Sequence, residues 1–424
     1  MVAAATGFGL IPILTGYFGL TFDEAVAASL VYGTLISFSW NLFGDPYAPG
    51  WITPALPFVL AFVVYGEIDT PTERFRAMAA LSFDLAAILF LFGVTGLGAW
   101  IMRHMPRALK GGIIMGAAIA AFLSVMNLEQ SDNNFVLQPV ATTVAVVVCL
   151  VMTFSLPFKR LIVRYRFVAI LASLGLLPGF IAGGLVGPFA GEVDYNIEWG
   201  ILWPPLDSLW QKASPFAIGF PDVALYLECL PLAFIAYIIL FGDMITGDEV
   251  IREAQKARPD EAIDVNPTRL HYSVGLRNLV MGFIAPLFPT QGALWTGVHV
   301  IIVQRWRQGR QEMDSLFDGI SAYYIYSLPF VYMFLPLVTG LKPLMGIALI
   351  LTLVLTAFAC AYVALAMVKN HIEEGVVLLT GTALAVFEPW QGLLVGLFAS
   401  LLLLGYEKPE SETESSEPET PTQP

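Results

Sequence analysis

Charge is what this sequence has least of. Only 13% of its 424 residues are Asp, Glu, Lys or Arg, against 57% hydrophobic, and soluble domains carry roughly 25% charged residues. Apolar runs long enough to cross a bilayer recur from end to end, which makes the chain a polytopic membrane protein and excludes a nucleic-acid partner. Cysteine is also scarce. Cys149, Cys229 and Cys360 lie in or beside apolar runs without paired spacing, so neither a disulfide framework nor a metal site is expected. Catalytic signatures are missing too: there is no H-E-x-x-H, no G-x-S-x-G and no Walker A loop. Without these the chain reads as a non-enzyme, and any transport it performs must be ion-coupled or passive, with no cofactor beyond H⁺ or Na⁺.

The start, "MVAAATGFGLIPILTGYFGL", lacks a basic n-region and a cleavage site, so it reads as a first span. It begins almost inside the hydrocarbon, and a few upstream residues are expected to be missing. The net charge of −13 owes much to residues 407–424, which hold six Glu and one Lys. This Pro-, Ser-, Thr- and Glu-rich stretch is expected to be a disordered acidic tail.

Apolar segments at 2–22, 25–43, 52–65, 77–101, 110–126, 136–158, 166–189, 223–243, 270–286, 290–303, 316–339, 343–368, 374–388 and 390–406 give about fourteen spans. With both termini cytoplasmic, every Lys and Arg falls inside except Arg74, Arg76, Lys212 and Lys342 outside and Arg277 within a span. The outer segment 190–222 carries Trp199, Trp203 and Trp210, and Trp prefers the headgroup level, so it reads as an interfacial loop.

Residues 1–189 and 223–406 then hold seven spans each, and an odd number per half forces opposite orientations. "MPRALKGGIIMGAAIAAF" at span five resembles "LVTGLKPLMGIALILTL" at span twelve, and "ITPAL" opening span three resembles "PTQGAL" opening span ten. The fold expected is an all-α inverted repeat of seven plus seven spans. Spans three and ten are short, and each follows a Pro- and Gly-interrupted lead-in, the pattern that marks a transporter's midplane site. A helix starting in hydrocarbon leaves orphan N–H groups and a partial positive charge facing a ligand. Thr53, Pro54, Ala55 and Leu56 are expected to form one wall of the site. Thr290, Gln291, Gly292 and Ala293 are expected to form the other.

Among acids, Asp243 in "AYIILFGDMITGDEV" follows an apolar run near the end of span eight. It is the candidate for the coupling ion, with Thr246 beside it supplying an oxygen. Asp248 and Glu249 read as lying beyond the span, and Asp84 in "ALSFDLAAILF" is a further candidate. His271 and His299 read as packing residues.

The segments "LIPILTGYFGLTFDEAVAASLVYGTLI", "LPLAFIAYIILFGDMI" and "NPTRLHYSVGLRNLVMGFIAPLFPTQGALWTG" resemble the nucleobase–cation symporters, the uracil and xanthine permease family. The resemblance implies the fold shared with the SulP anion transporters. In that fold spans one to four and eight to eleven form a core domain, spans five to seven and twelve to fourteen a gate, and homodimers are common. It places Asp243 at the family's acidic position on span eight. It also places Gly247 where some permeases have a His, so that contact is missing, while the neighbouring Asp248 is a further candidate site residue. The family Glu on span ten falls on Trp295, whose ring could stack on a planar ligand but cannot accept hydrogen bonds. The reading is therefore an elevator-type secondary transporter of the cell membrane for a small anionic or polar solute, with a modified nucleobase permease as the alternative. A scaffold or membrane-embedded enzyme ranks lower.

Overall fold

The computed structural model describes residues 7–128, 133–165, 167, 168, 171, 175–314 and 328–405. The acidic tail, the beginning of the eleventh expected span and parts of the seventh lie outside them. Among the described residues the chain is helical, its only β pairings being two isolated bridges.

Four stretches are long and apolar enough to cross a membrane: Pro71–Thr95, Arg107–Val125, Val223–Gln255 and Leu335–Ala366. A fifth arises if Pro139–Phe154 and Leu156–Ile162, bent by 63° at their junction, count as one span. Shorter apolar helices cover Thr53–Val64, Leu177–Ala190 and Pro389–Leu403.

Local chemistry explains several boundaries that differ from the hydropathy reading. The helix expected at 77–101 is Pro71–Thr95. It starts early because Thr70 and Glu73 form a capping box with Pro71 in the first turn, and it stops at Gly96, which adopts φ +68°. The helix expected to end at 243 runs unbroken to Gln255, so Asp243, Thr246, Gly247, Asp248 and Glu249 all sit on one rod. At about 1.5 Å per residue that rod is roughly 50 Å long, more than the hydrocarbon thickness. Beyond the apolar part, Asp248 pairs with Arg252 at 2.7 Å and Glu253 with Lys256 at 2.6 Å, the helical spacings that support a solvated continuation. The helix expected from residue 290 begins only at Thr296.

The helices pack in two sets. Phe22–Ile36, Pro71–Thr95, Val223–Gln255, Pro267–Ile284 and Thr296–Gln308 contact one another. Arg107–Val125 packs closely on Met345–Ala366 and His371–Val386, while Pro139–Phe154 packs on Leu177–Ala190 and Met345–Ala366. Glycine makes the second set tight. A Cβ at Gly112 would sit 2.5 Å from Thr380, and one at Gly183 would sit 2.8 Å from the Ala141 carbonyl.

The outer segment 190–222 is not a bare loop. Leu206–Ala213 is an amphipathic helix, while Trp199 and Trp203 are exposed. It touches both helix sets: Tyr195 OH donates to Gly184 O at 2.7 Å on Leu177–Ala190, and Lys212 reaches Phe22–Ile36. The bridge Ile201–Phe334 and the bond from Glu198 N to Thr339 Oγ1 at 3.0 Å join it to one end of Leu335–Leu341. Lys212 reaches Glu24 at 2.7 Å, and Ser208 donates to the same carboxylate.

Candidate functional site

The two Pro- and Gly-interrupted stretches meet. Residues 48–52 and 289–295 run antiparallel as a short crossing. Gly292 N donates to Gly50 O at 2.7 Å, Trp295 N to Ala48 O at 2.7 Å, and Ile52 N to Pro289 O at 3.0 Å. These bonds explain why the second helix starts late: the N–H groups of Gly292 and Trp295 are spent across the crossing instead of along a helix. Both glycines are required by the close approach. A Cβ on Gly50 would lie 2.7 Å from Leu294 O, and one on Gly292 would lie 2.7 Å from the carbonyl carbon of Trp51.

A helix leaves the crossing from each strand. Thr53–Val64 opens with a tight 3₁₀ turn over Thr53–Ala55, continues through Leu56–Val59 and widens into a π turn at Leu60–Val64. Thr296–Gln308 begins after Trp295. Because the strands are antiparallel, the helices depart in opposite senses and leave both N-termini at the crossing. Orphan N–H groups and the positive ends of two dipoles therefore gather there, an arrangement suited to anions.

The rod Val223–Gln255 lies alongside, packed on Thr53–Ala55 and on Thr296–Gln308. His299 fastens it: Ala48 N donates to Nδ1 at 3.3 Å, which leaves Nε2–H to donate to Gly247 O at 3.2 Å. The ring stacks on Tyr47 at 5.7 Å. Gly247 is where some permeases carry His. Here a Cβ would lie 2.4 Å from the Tyr47 ring, so that ring fills the space a larger residue needs.

The residues singled out from the sequence fall in three groups. Thr53, Pro54 and Trp295 are half-buried at the two helix starts, Thr296 is exposed, and Ala55 and Leu56 are buried. Asp243 is half-buried on the rod, within electrostatic reach of Cys360 on Met345–Ala366, and so faces the second helix set. Thr246 is exposed, and its hydroxyl donates back to Gly242 O at 2.9 Å. Thr290, Gln291, Gly292 and Ala293, expected to form a ligand-facing helix start, instead belong to the buried strand. Gln291 is fully buried with its amide engaged, Nε2 donating to Tyr32 O at 3.1 Å and Oε1 accepting from Arg277 at 3.3 Å, so it braces the crossing from behind. Asp248 is occupied by Arg252, and Asp84 lies elsewhere on Pro71–Thr95 with Oδ2 buried and unpartnered.

Sequence reasoning passed over the group behind the crossing. Arg277 is fully buried and donates to Gly292 O at 2.8 Å, while Asn278 Nδ2 donates to Gln291 O at 3.0 Å. Asp45, 4% exposed, pairs with Arg269 at 3.2 Å, and Ser39 and Ser273 hydroxyls meet at 2.9 Å. One signal was available: an arginine inside an apolar span marks a functional position by default. Among the described residues no His, Cys, Asp and Glu cluster could hold a metal ion.

Comparison with known proteins bears on the fold and the family. No curated protein sequence matches the chain. Among solved structures, the transmembrane domain of the bicarbonate transporter BicA from a cyanobacterium is similar with a TM-score of 0.54 and 14% identity, covering 93% of this chain and 95% of that one. Murine Slc26a9, an anion transporter in the inward-facing state, is similar at 0.51 and 14% identity, over 95% of this chain and 66% of the other. A second SLC26A9 structure gives 0.52 and 15% identity, over 95% and 63%. At such identities the likeness shows the fold. The sequence itself matches the Xan_ur_permease model, described as Permease family, over residues 1–268. The chain is therefore a multi-pass membrane transporter and belongs to the Permease family.

Proposed function

We propose that the protein is a secondary transporter of a small anion, bound between the helix starts at Thr53 and Thr296 and coupled to H⁺ or Na⁺ through Asp243. The observation that carries the reading is the antiparallel crossing, which aims two helix N-termini at one point with no carboxylate among the residues of either start. Trp295 stands where the nucleobase permeases place a base-binding Glu, which favours an anion over a nucleobase. The likeness in fold to a bicarbonate transporter and an anion transporter supports the same choice.

The two helix sets support an elevator. In this reading the set built on Pro71–Thr95, Val223–Gln255 and Pro267–Ile284 is the moving core, and the set built on Arg107–Val125 and Met345–Ala366 is the gate. Fourteen spans in a seven-plus-seven inverted repeat, 1–189 and 223–406 around the outer loop 190–222, complete it. Both termini are cytoplasmic in the cell membrane, and the protein works as a homodimer. Asp243 faces the gate, where protonation or Na⁺ binding would change the charge carried across the interface.

Reconstituted protein should take up radiolabelled bicarbonate, chloride or sulfate into proteoliposomes under an imposed H⁺ or Na⁺ gradient. Asp243→Asn should abolish the gradient dependence. Uptake of uracil with none of these anions would establish the nucleobase alternative, and unchanged coupling in Asp243→Asn would remove that residue from the mechanism.

A further inference from the structure

The helix Leu156–Arg164 follows Pro139–Phe154, whose 16 residues reach about 24 Å, a little less than the hydrocarbon thickness of about 30 Å. The chain then bends by 63°. Ser155 fixes the bend by capping the new helix, its hydroxyl accepting from Phe158 N at 3.4 Å, and Pro157 suits the first turn. A short helix turned this sharply at the edge of the hydrocarbon runs closer to the membrane plane than to the normal. Its two sides differ. Phe158 and Ile162 are half-buried, whereas Lys159, Arg160 and Arg164 are exposed, as are Leu156 and Leu161.

The three cations lack counter-charges within the chain. No Asp or Glu occurs between Asp132 and Glu192, and among the described residues no carboxylate pairs with Lys159, Arg160 or Arg164. Arg164 lies over the Tyr165 ring at 5.5 Å, which leaves its charge in place. Arg160 and Arg164 stand one turn apart, a spacing at which like charges destabilise a helix. Other exposed cations of the chain are served differently: Arg252 meets Asp248 at 2.7 Å, Lys256 meets Glu253 at 2.6 Å and Arg305 meets Glu312 at 2.8 Å.

We propose that Leu156–Arg164 is a docking surface for anionic phospholipid, with Lys159, Arg160 and Arg164 holding headgroup phosphates and the exposed Leu156 and Leu161 entering the acyl boundary. The charge complementarity names the occupant, because an unpaired basic face at the headgroup level is attracted to an anionic leaflet. Lys and Arg stems can lie along apolar surface while their charged ends reach the phosphates. A soluble anion is a poorer fit, since the cations stand on the exposed side of a single helix. The surface does not depend on what the protein transports.

The full chain is exchanged into mixed micelles holding phosphatidylglycerol and phosphatidylcholine in equal amounts. Lipid retained after size exclusion is then quantified by mass spectrometry. Wild-type protein should retain phosphatidylglycerol in excess, and the excess should shrink as NaCl is raised. Lys159→Gln, Arg160→Gln and Arg164→Gln combined should lower the retained ratio by roughly 10-fold or more. The charge-keeping set Lys159→Arg, Arg160→Lys and Arg164→Lys should hold the wild-type ratio. Lys256→Gln with Arg305→Gln, cations that already have carboxylate partners, should lose less per charge removed. No excess in the wild type, an undiminished excess in the neutralised helix, or loss in the charge-keeping set overturns the proposal. So does an equal loss per charge in the control, which would make retention a matter of net charge. Displacement of the lipid by inorganic phosphate beyond that caused by NaCl of the same ionic strength would assign the cations to a soluble anion and overturn it too. None of these outcomes touches the transport reading, which uptake measurements decide.

Discussion

Replacing Gly292 by Ala tests whether the strand crossing is as tight as its geometry requires. The new Cβ would meet the Trp51 carbonyl carbon at 2.7 Å and Ile52 N at 2.8 Å. Both are backbone atoms that cannot swing aside as the end of a side chain can, so the strands must separate. Overpacking of this kind costs about 1–3 kcal/mol. Separation also weakens the bonds from Gly292 N and Ile52 N, each worth about 1 kcal/mol net. The expected loss is roughly 3 kcal/mol, or a melting temperature lower by roughly 3 °C for a chain of this length. The three buried thiols Cys149, Cys229 and Cys360 suit a melt followed with a thiol-reactive dye, since unfolding uncovers them. Gly375→Ala is the control: a helical glycine with open space at its Cβ position, where alanine should add up to about 1 kcal/mol. Gly292→Ala should also lose anion uptake, because both helix starts are set by the crossing. If Gly292→Ala and Gly50→Ala melted with the wild type and transported at its rate, the close approach and everything built on it would be wrong.

Three further outcomes follow from named contacts. Gly247→His should fail to fold or transport, while adding Tyr47→Ala should recover folding by vacating the space the ring occupies; recovery is read by size-exclusion profile, and none would show that another neighbour is limiting. His299→Ala should destabilise the protein by roughly 2 kcal/mol, because it frees Ala48 N and Gly247 O together, and a wild-type melt would refute the bridge. Glu24, at the outer end of Phe22–Ile36, is opposed by burial, but bonds from Lys212, Ser208 and Thr21 outweigh it and hold its carboxyl down at about 2, below the ordinary 4.5. Its stabilising contribution is therefore complete above pH 4.5 and lost as pH falls toward 2. Glu24→Gln should narrow the gap between melts at pH 6 and pH 3, and an undiminished gap would assign the acid sensitivity elsewhere.

How much of this was legible in the sequence can be judged from particular residues. The two interruptions stand out because Pro54, Pro289, Gly50 and Gly292 break apolar runs, and proline and glycine act locally. The start of the second helix was misplaced by six residues, from 290 to Thr296, because the competing partner is Gly50, far away in the chain. Local signals cannot report a bond made in the other half. Gln291 misled for the same reason: a lone amide in an apolar stretch looks like a ligand contact until Tyr32 O and Arg277 are seen to occupy it. The rod ending at Gln255 outran its hydropathy because helicity depends on backbone bonds and spaced ion pairs, neither of which stops where apolar residues do. Asp243 was placed on the right helix, and its nearness to Cys360 on Met345–Ala366 depended on packing that no single sequence expresses.

The crossing also has a consequence for biosynthesis. Gly50 belongs to the first half of the chain and Gly292 to the second, and synthesis delivers the halves in order. Until residues 289–295 emerge, the carbonyls of Ala48 and Gly50 and the N–H of Ile52 lack the partners they have in the finished protein, and unsatisfied backbone is not tolerated in lipid. The first half must therefore wait with this segment hydrated or held by the insertion machinery. A truncated product ending before residue 289 should be recognised by quality control as unfinished at this point, even with all its earlier spans in place.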